Sequence, residues 1–162
     1  MPNTTPPTTI FRSLNGGPEG NMRKIIELLG GTETLIGKND VVIIKPNLQW
    51  WNQGAPNLLA FRTLVDLIMN RPGGFDGEVV LMENVHRGNQ PWKSAGWAQT
   101  FVHNGDLPGI RNMSDLASVL KETYGDRFTV HHLVDVAAGG KRVYSPDDGP
   151  GYIYCDGTGG VP

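Results

Sequence analysis

The chain of 162 residues has a single cysteine, Cys155, so it forms no internal disulfide. The same shortage excludes a cysteine-only metal or iron–sulfur site within these residues. Long apolar runs are missing too, and nothing approaches the roughly 20 residues of a membrane-spanning helix. The longest runs are the strand-sized Val41–Ile44 and the helix-patterned Leu58–Met69. Positive charge is not in excess: the net charge is -2 and the pI is about 6.0. Lys and Arg are scattered, so neither a nucleic-acid face nor a membrane is an expected partner. The start of the chain has no basic stretch followed by an apolar one, hence no visible signal peptide, and localisation defaults to the cytoplasm. With Pro2, Pro6 and Pro7 set among threonines, residues 1–10 read as a flexible head.

What is present is the composition of a packed domain. Hydrophobic residues make up 38% and charged residues 19%, which places the chain outside the disordered and membrane-embedded classes. Residues 11–162 are long enough for one compact domain. The 22 glycines and 12 prolines point to many turns, because the segments between them keep clean periodicity.

A short strand is expected over residues 10–15. Met22, Ile25, Ile26 and Leu29 then share one face of a helix over 20–29, stopped by Gly30 and Gly31. A further helical turn at 32–36 leads to a turn at 38–40. The β-branched run Val41–Ile44 suits a strand buried on both faces, and Pro46 ends it. A polar-aromatic loop over 47–56 carries Trp50 and Trp51. Asn57 caps a helix whose stripe is Phe61, Leu64, Val65 and Ile68, and Arg71 to Gly74 terminates it. Glu78–Met82 is a second buried strand. The stretch 88–111, rich in Trp, Gly, Asn and His, is a long loop of the kind that carries function or lacks order, with a short helix near 95–102. A helix starting at Asn112 or Ser114 turns Leu116, Val119, Leu120 and Tyr124 inward and ends at Gly125. A third strand follows over 128–134, and a hairpin pairs 141–144 with 152–155.

Strand, helix, strand, helix, strand means two consecutive crossovers, which are right-handed and build a parallel sheet. The expected fold is therefore α/β, a three-layer, mostly parallel sheet with flanking helices in Rossmann-like order, plus a C-terminal β-hairpin. Residues 156–162 have loop composition, and the chain reads as a fragment of a longer protein.

In open α/β sheets ligands settle outside the carboxyl ends of the strands. Lys45 and Asn47 stand after the first strand, and Glu83, Asn84, His86 and Arg87 after the second. Lys45, Asn47, Asn84 and Arg87 are candidate ligand-binding groups, with Lys45 and Arg87 suited to an anion. Glu83 and His86 are candidate catalytic groups, able to accept a proton or bind a metal. The plainer alternative makes Lys45 a snorkelling side chain and Glu83 its structural ion-pair partner. His131 and His132, adjacent in a strand, point to opposite faces and do not chelate one metal. One of them is expected to be a core or interface histidine. Cys155 reads as a small buried hydrophobe, and Trp50, Trp51, Trp92 and Trp97 read as packing residues. The glycines at 157, 159 and 160 resemble a phosphate cradle by composition only, since no Walker lysine follows, and Gly139-Gly140-Lys141 fails the same test.

The segment LGGTETLIGKNDVVIIKPNLQWW, followed by a helix and GEVVLMENVHRG, resembles domain-of-unknown-function family 362. That family has a strand reading V-x-I/L-K-P-N after a helix with a Gly-rich end. The resemblance covers about residues 22–87 and runs more loosely to 162, with Lys45-Pro46-Asn47 its most specific part. The family has no settled biochemical role. Some members resemble redox proteins, with a ferredoxin-type cluster domain or a twin-arginine export signal. This chain has neither, so electron transfer does not carry over. Family members are longer, in keeping with the fragment reading.

The expected function is binding of a small anionic ligand at the strand-end rim, with the cofactor undefined. Two alternatives stand beside it. One is a non-catalytic interaction or structural domain that self-associates or packs on a missing C-terminal half. The other is the N-terminal part of an iron–sulfur protein whose cluster lies beyond this chain.

Overall fold

The computed structural model describes residues 8–48, 55–83, 97, 100–101 and 106–131, together with the backbone of two short strands at 142–143 and 152–153. The first helix, α1, spans Gly17–Leu28 with Pro18 in its first turn, where a missing N–H costs nothing. Asn21 Oδ1 ties down its entry, accepting from the Gly16 N–H at 3.2 Å and from the Ser13 hydroxyl at 3.0 Å. Gly30 and Gly31, at φ 96 and 88, stop it as expected. A single turn, α2 (Thr32–Leu35), precedes β1 (Val41–Ile44).

The Asn57 side chain caps α3 (Leu58–Met69), accepting from the Ala60 N–H at 3.0 Å. After β2 (Glu78–Met82), α4 (Met113–Tyr124) is capped in the same way by Asn112, which accepts from the Asp115 N–H at 3.0 Å. Gly125, at φ 59, ends α4 and opens a 3₁₀ turn, Gly125–Arg127, that leads into β3 (Phe128–His131).

The three strands are parallel in the order β1-β2-β3, with Val41 opposite Glu78 and Val79 opposite Phe128. Each strand therefore pairs with its neighbours in sequence, as two crossovers in one direction require. The α/β class and the parallel sheet with flanking helices are as expected.

The helices cover one face only among the described residues, not the two that a three-layer arrangement has. Leu58, Phe61, Val65 and Ile68 of α3 and Met113, Leu116 and Leu120 of α4 form one buried cluster with Val79, Leu81 and Phe128. Val42, Ile44 and Val130 pack against it. Strand alternation sends Val41, Ile43, Val80, Met82, Thr129 and His131 to the other face. A hydrogen bond from the Thr129 hydroxyl to the Glu78 carboxylate confirms that these two strands share it. The reason is topological: right-handed crossovers that keep moving one way leave both helices on one side. The burial of β1 on both faces is corrected accordingly, for Val41 and Ile43 are 62% and 59% exposed.

Two further expectations are overturned. Residues 10–15 form no strand: they run irregularly, and Asn15, at φ 67, turns the chain into α1. No described strand lies beside them to accept their backbone bonds, and Ile10, Phe11 and Leu14 are exposed. The C-terminal hairpin is corrected as well. Arg142–Val143 (β4) and Tyr152–Ile153 (β5) do pair, but in parallel, Arg142 with Tyr152 and Val143 with Ile153. A hairpin turn joins antiparallel strands only.

Trp97 is buried in the core cluster, in line with a packing role. Trp50, Trp51, Trp92, His132, Cys155, most of the head and the glycine patterns near the C-terminus lie outside the described residues.

Candidate functional site

At the C-terminal end of β1 the alternation of side chains continues past the last ladder residue. Pro46 and Leu48 turn inward and are buried, while Lys45 and Asn47 are exposed. Pro46 brings no N–H, so the ladder stops here and the chain is released from the sheet. Lys45 and Asn47 are thereby held beside the sheet end by two buried anchors.

Glu83 follows β2 directly. Its carboxylate accepts from Lys45 Nζ at 2.9 Å, the side chains being 4% and 60% exposed respectively. The Glu83 N–H donates to the His131 carbonyl at 3.3 Å, so β2 and β3 remain joined up to the rim. The expected meeting of Lys45 with Glu83 across neighbouring strand ends is present. It fits both the ligand-site and the ion-pair readings.

Such a pair is chemically asymmetric. A buried carboxylate is costly unless it is paired and hydrogen-bonded. A cation with most of its side chain in water adds less than a buried partner would. An ammonium has three N–H donors, and one of Lys45's is directed to Glu83. Among the described residues Glu83 is the side-chain partner of the ammonium, which is 60% exposed and so can meet an acceptor arriving from solvent. Glu83 thus steers the ammonium, and Asn47 adds an exposed amide on the same stretch.

Of the remaining candidates, Asn84, His86 and Arg87 lie outside the described residues. Of the two adjacent histidines, one of which is expected to be a core or interface residue, His132 lies outside the described residues and His131 is exposed at the last position of β3, paired in register with Met82. Among the described residues no group of three or more His, Cys, Asp or Glu is placed to hold a metal ion, and no helix is long and apolar enough to cross a membrane.

Two surface hollows lie elsewhere, against the outer side of α3. One, of about 470 Å³, is lined by Pro18, Met22 and Ile25 of α1 with Asn57 and Ala60. It is apolar and has no titratable side chain, so its size carries no chemistry. The other, of about 270 Å³, has Glu19, Arg62 and Asp66 in its wall. Those charges are already matched, Arg62 with Asp66 at 3.5 Å and Glu19 with Arg23 at 2.8 Å. The strand-end rim remains the better site, because there a buried acid positions an exposed base.

The fold and the rim together define an α/β protein with a parallel sheet. No protein-family model matches the chain, and comparisons with curated proteins and with solved structures found nothing similar.

Proposed function

We propose that this chain binds a small anionic ligand at the C-terminal ends of its parallel strands, and that it is a relative of domain-of-unknown-function family 362. The observation that carries the ligand reading is the Lys45–Glu83 pair: a buried carboxylate holds an exposed ammonium at 2.9 Å, at the position where open α/β sheets bind ligands. In this reading Lys45 and Asn47 contact the anion, joined by Asn84 and Arg87 from the segment after Glu83. Glu83 or His86 accepts a proton if the ligand is turned over. A thermal-shift screen against small carboxylates and phosphate esters tests the site. Lys45→Ala is expected to keep the fold and to lose the response to any hit, and an unchanged response in that variant removes Lys45 from the site.

A second reading is favoured by the face of the sheet that no described helix covers. Val41 and Ile43 are β-branched, neighbouring and more than half exposed. In a Rossmann-like arrangement that face is covered by helices that follow a reversal of strand order, the strands staying parallel. The chain is then an interaction or structural domain whose open face docks against further α/β structure or a second copy. Size-exclusion chromatography with light scattering discriminates, since a stable monomer over a wide concentration range argues against it.

A further inference from the structure

The register of the sheet sets His131 beside the rim. Ile44, Leu81 and Val130 lie in one row across the sheet, since Ile44 pairs with Leu81 and Leu81 with Val130. The next row toward the C-terminal ends is Lys45, Met82 and His131, with Met82 and His131 paired directly. Strand spacing is about 4.8 Å, so the Cα atoms of Lys45 and His131 stand about 10 Å apart with Met82 between them. All three follow the alternation of Ile43, Val80 and Thr129 and so belong to the face that no described helix covers. His131 is exposed there.

The row is held in place from both sides. Glu83 pulls the Lys45 ammonium toward the end of β2 through its buried carboxylate. The same residue binds the His131 carbonyl through its N–H, at 3.3 Å. One residue therefore sets the position of both ends of the row. What separates the ends is a thioether, an apolar and adaptable side chain with no hydrogen-bond donor, so it does not compete for an anion.

Resting on the reading of the rim as an anion site, we infer that His131 is its third-strand member, and that the ligand class is a short dianion, a dicarboxylate or its phospho-carboxylate equivalent, bridging Lys45 and His131 above Met82. The imidazole contributes an N–H donor to the second anionic end, as Lys45 does to the first. A monoanion fills one end only and leaves the other hydrated.

Titration of the full chain with succinate and with acetate, followed by two-dimensional amide and histidine side-chain NMR, tests this. Succinate is expected to bind about tenfold or more tighter than acetate and to shift the His131 ring signals, as two charge-assisted hydrogen bonds exceed one. His131→Ala should bring succinate down toward the level of acetate, and His131→Gln, which keeps a donor, should recover part of the difference. Lys45→Ala, or Lys45→Gln where the alanine variant folds poorly, should lose both ligands. A succinate-to-acetate ratio unchanged by His131→Ala overturns the role of His131 and leaves the rim reading standing, provided Lys45→Ala still abolishes acetate binding. Binding of both ligands that is indifferent to Lys45 overturns the rim reading itself. Equal affinity for the two ligands in the unaltered chain, or no saturable binding of succinate, overturns the dianion.

Discussion

Glu83 is the residue on which the rim turns, because its carboxylate has left water while its partner Lys45 has not. Its bond to Lys45 is intermediate between a surface pair and a buried one. A double-mutant cycle of Lys45→Met with Glu83→Gln, read by chemical denaturation, should give a coupling of about 1 kcal/mol, above the usual surface value and below that of a fully buried pair. A coupling indistinguishable from zero would mean that water has replaced the contact. Gly77 is critical for a different reason. Its N–H donates to the Lys38 carbonyl at 3.1 Å, and a Cβ built on it would come within 2.0 Å of the Asp40 carbonyl oxygen. The obstacle is backbone, so Gly77→Ala should destabilise by about 2 kcal/mol or more, or displace the start of β2 from β1. Hydrogen bonds from the Arg111 side chain and backbone hold the Asp115 carboxyl below the usual aspartate range. A depressed carboxylate adds stability above its unfolded pKa and loses it as pH falls through the folded value. The gap in melting temperature between the unaltered chain and Asp115→Asn should therefore be open at neutral pH and close in acid, below about pH 4. A gap independent of pH would refute the assignment. Lys45, Asn47 and Glu83 were legible in the sequence because Pro46 marks a strand end and polar residues stand beside it. His131 was not, because sequence does not give the register that sets it level with Met82.

Among the elements, α3 and α4 carry the most information locally and were the easiest to read. Each has an apolar stripe and an Asn cap that agree with one another, α4 also has Gly125 at its C-terminal end, and both caps form as expected. The Asn57 cap should be worth about 1 kcal/mol, so Asn57→Ala should lower denaturant stability by that amount and loosen exchange protection in the first turn of α3. Part of the loss will come from Asp106, whose carboxylate accepts from the Asn57 amide at 3.0 Å. At the other end of the two helices the Tyr124 hydroxyl donates to Asp66 at 2.7 Å, joining α4 to α3. Burial and this bond both raise the Tyr124 pKa. The errors were in the short elements. Ile10, Phe11 and Leu14 look like a strand, but strand formation needs a neighbour that accepts its bonds, and no local pattern reveals whether one exists. The two-residue strands β4 and β5 were placed correctly along the chain and wrongly in direction. Alternation is identical for parallel and antiparallel pairs, so pattern alone does not distinguish them.

At the scale of the whole molecule, the feature with the widest effect is that both long helices behind the sheet lie on the same side. Sequence made two crossovers legible but not the covering of the second face, because Val41–Ile44 has the same apolar run whether one face is buried or two. Among the described residues the two faces of β1 differ in exposure, with Val42 and Ile44 against the core and Val41 and Ile43 in the open. If that face docks another copy, Ile43→Lys should shift the light-scattering mass toward the monomer while leaving the circular dichroism spectrum unchanged, since Ile43 makes no part of the core cluster. Insensitivity of the mass to this change would place the association elsewhere. The strand order has a further consequence, for the timing of assembly. With β1, β2 and β3 pairing strictly in the order in which they are made, the sheet can grow as the chain leaves the ribosome, each new unit docking on an edge already formed. Pulse-labelled hydrogen exchange on arrested nascent chains should find the β1–β2 ladder protected before β3 has emerged, and protection that waits for His131 would show that the sheet forms all at once.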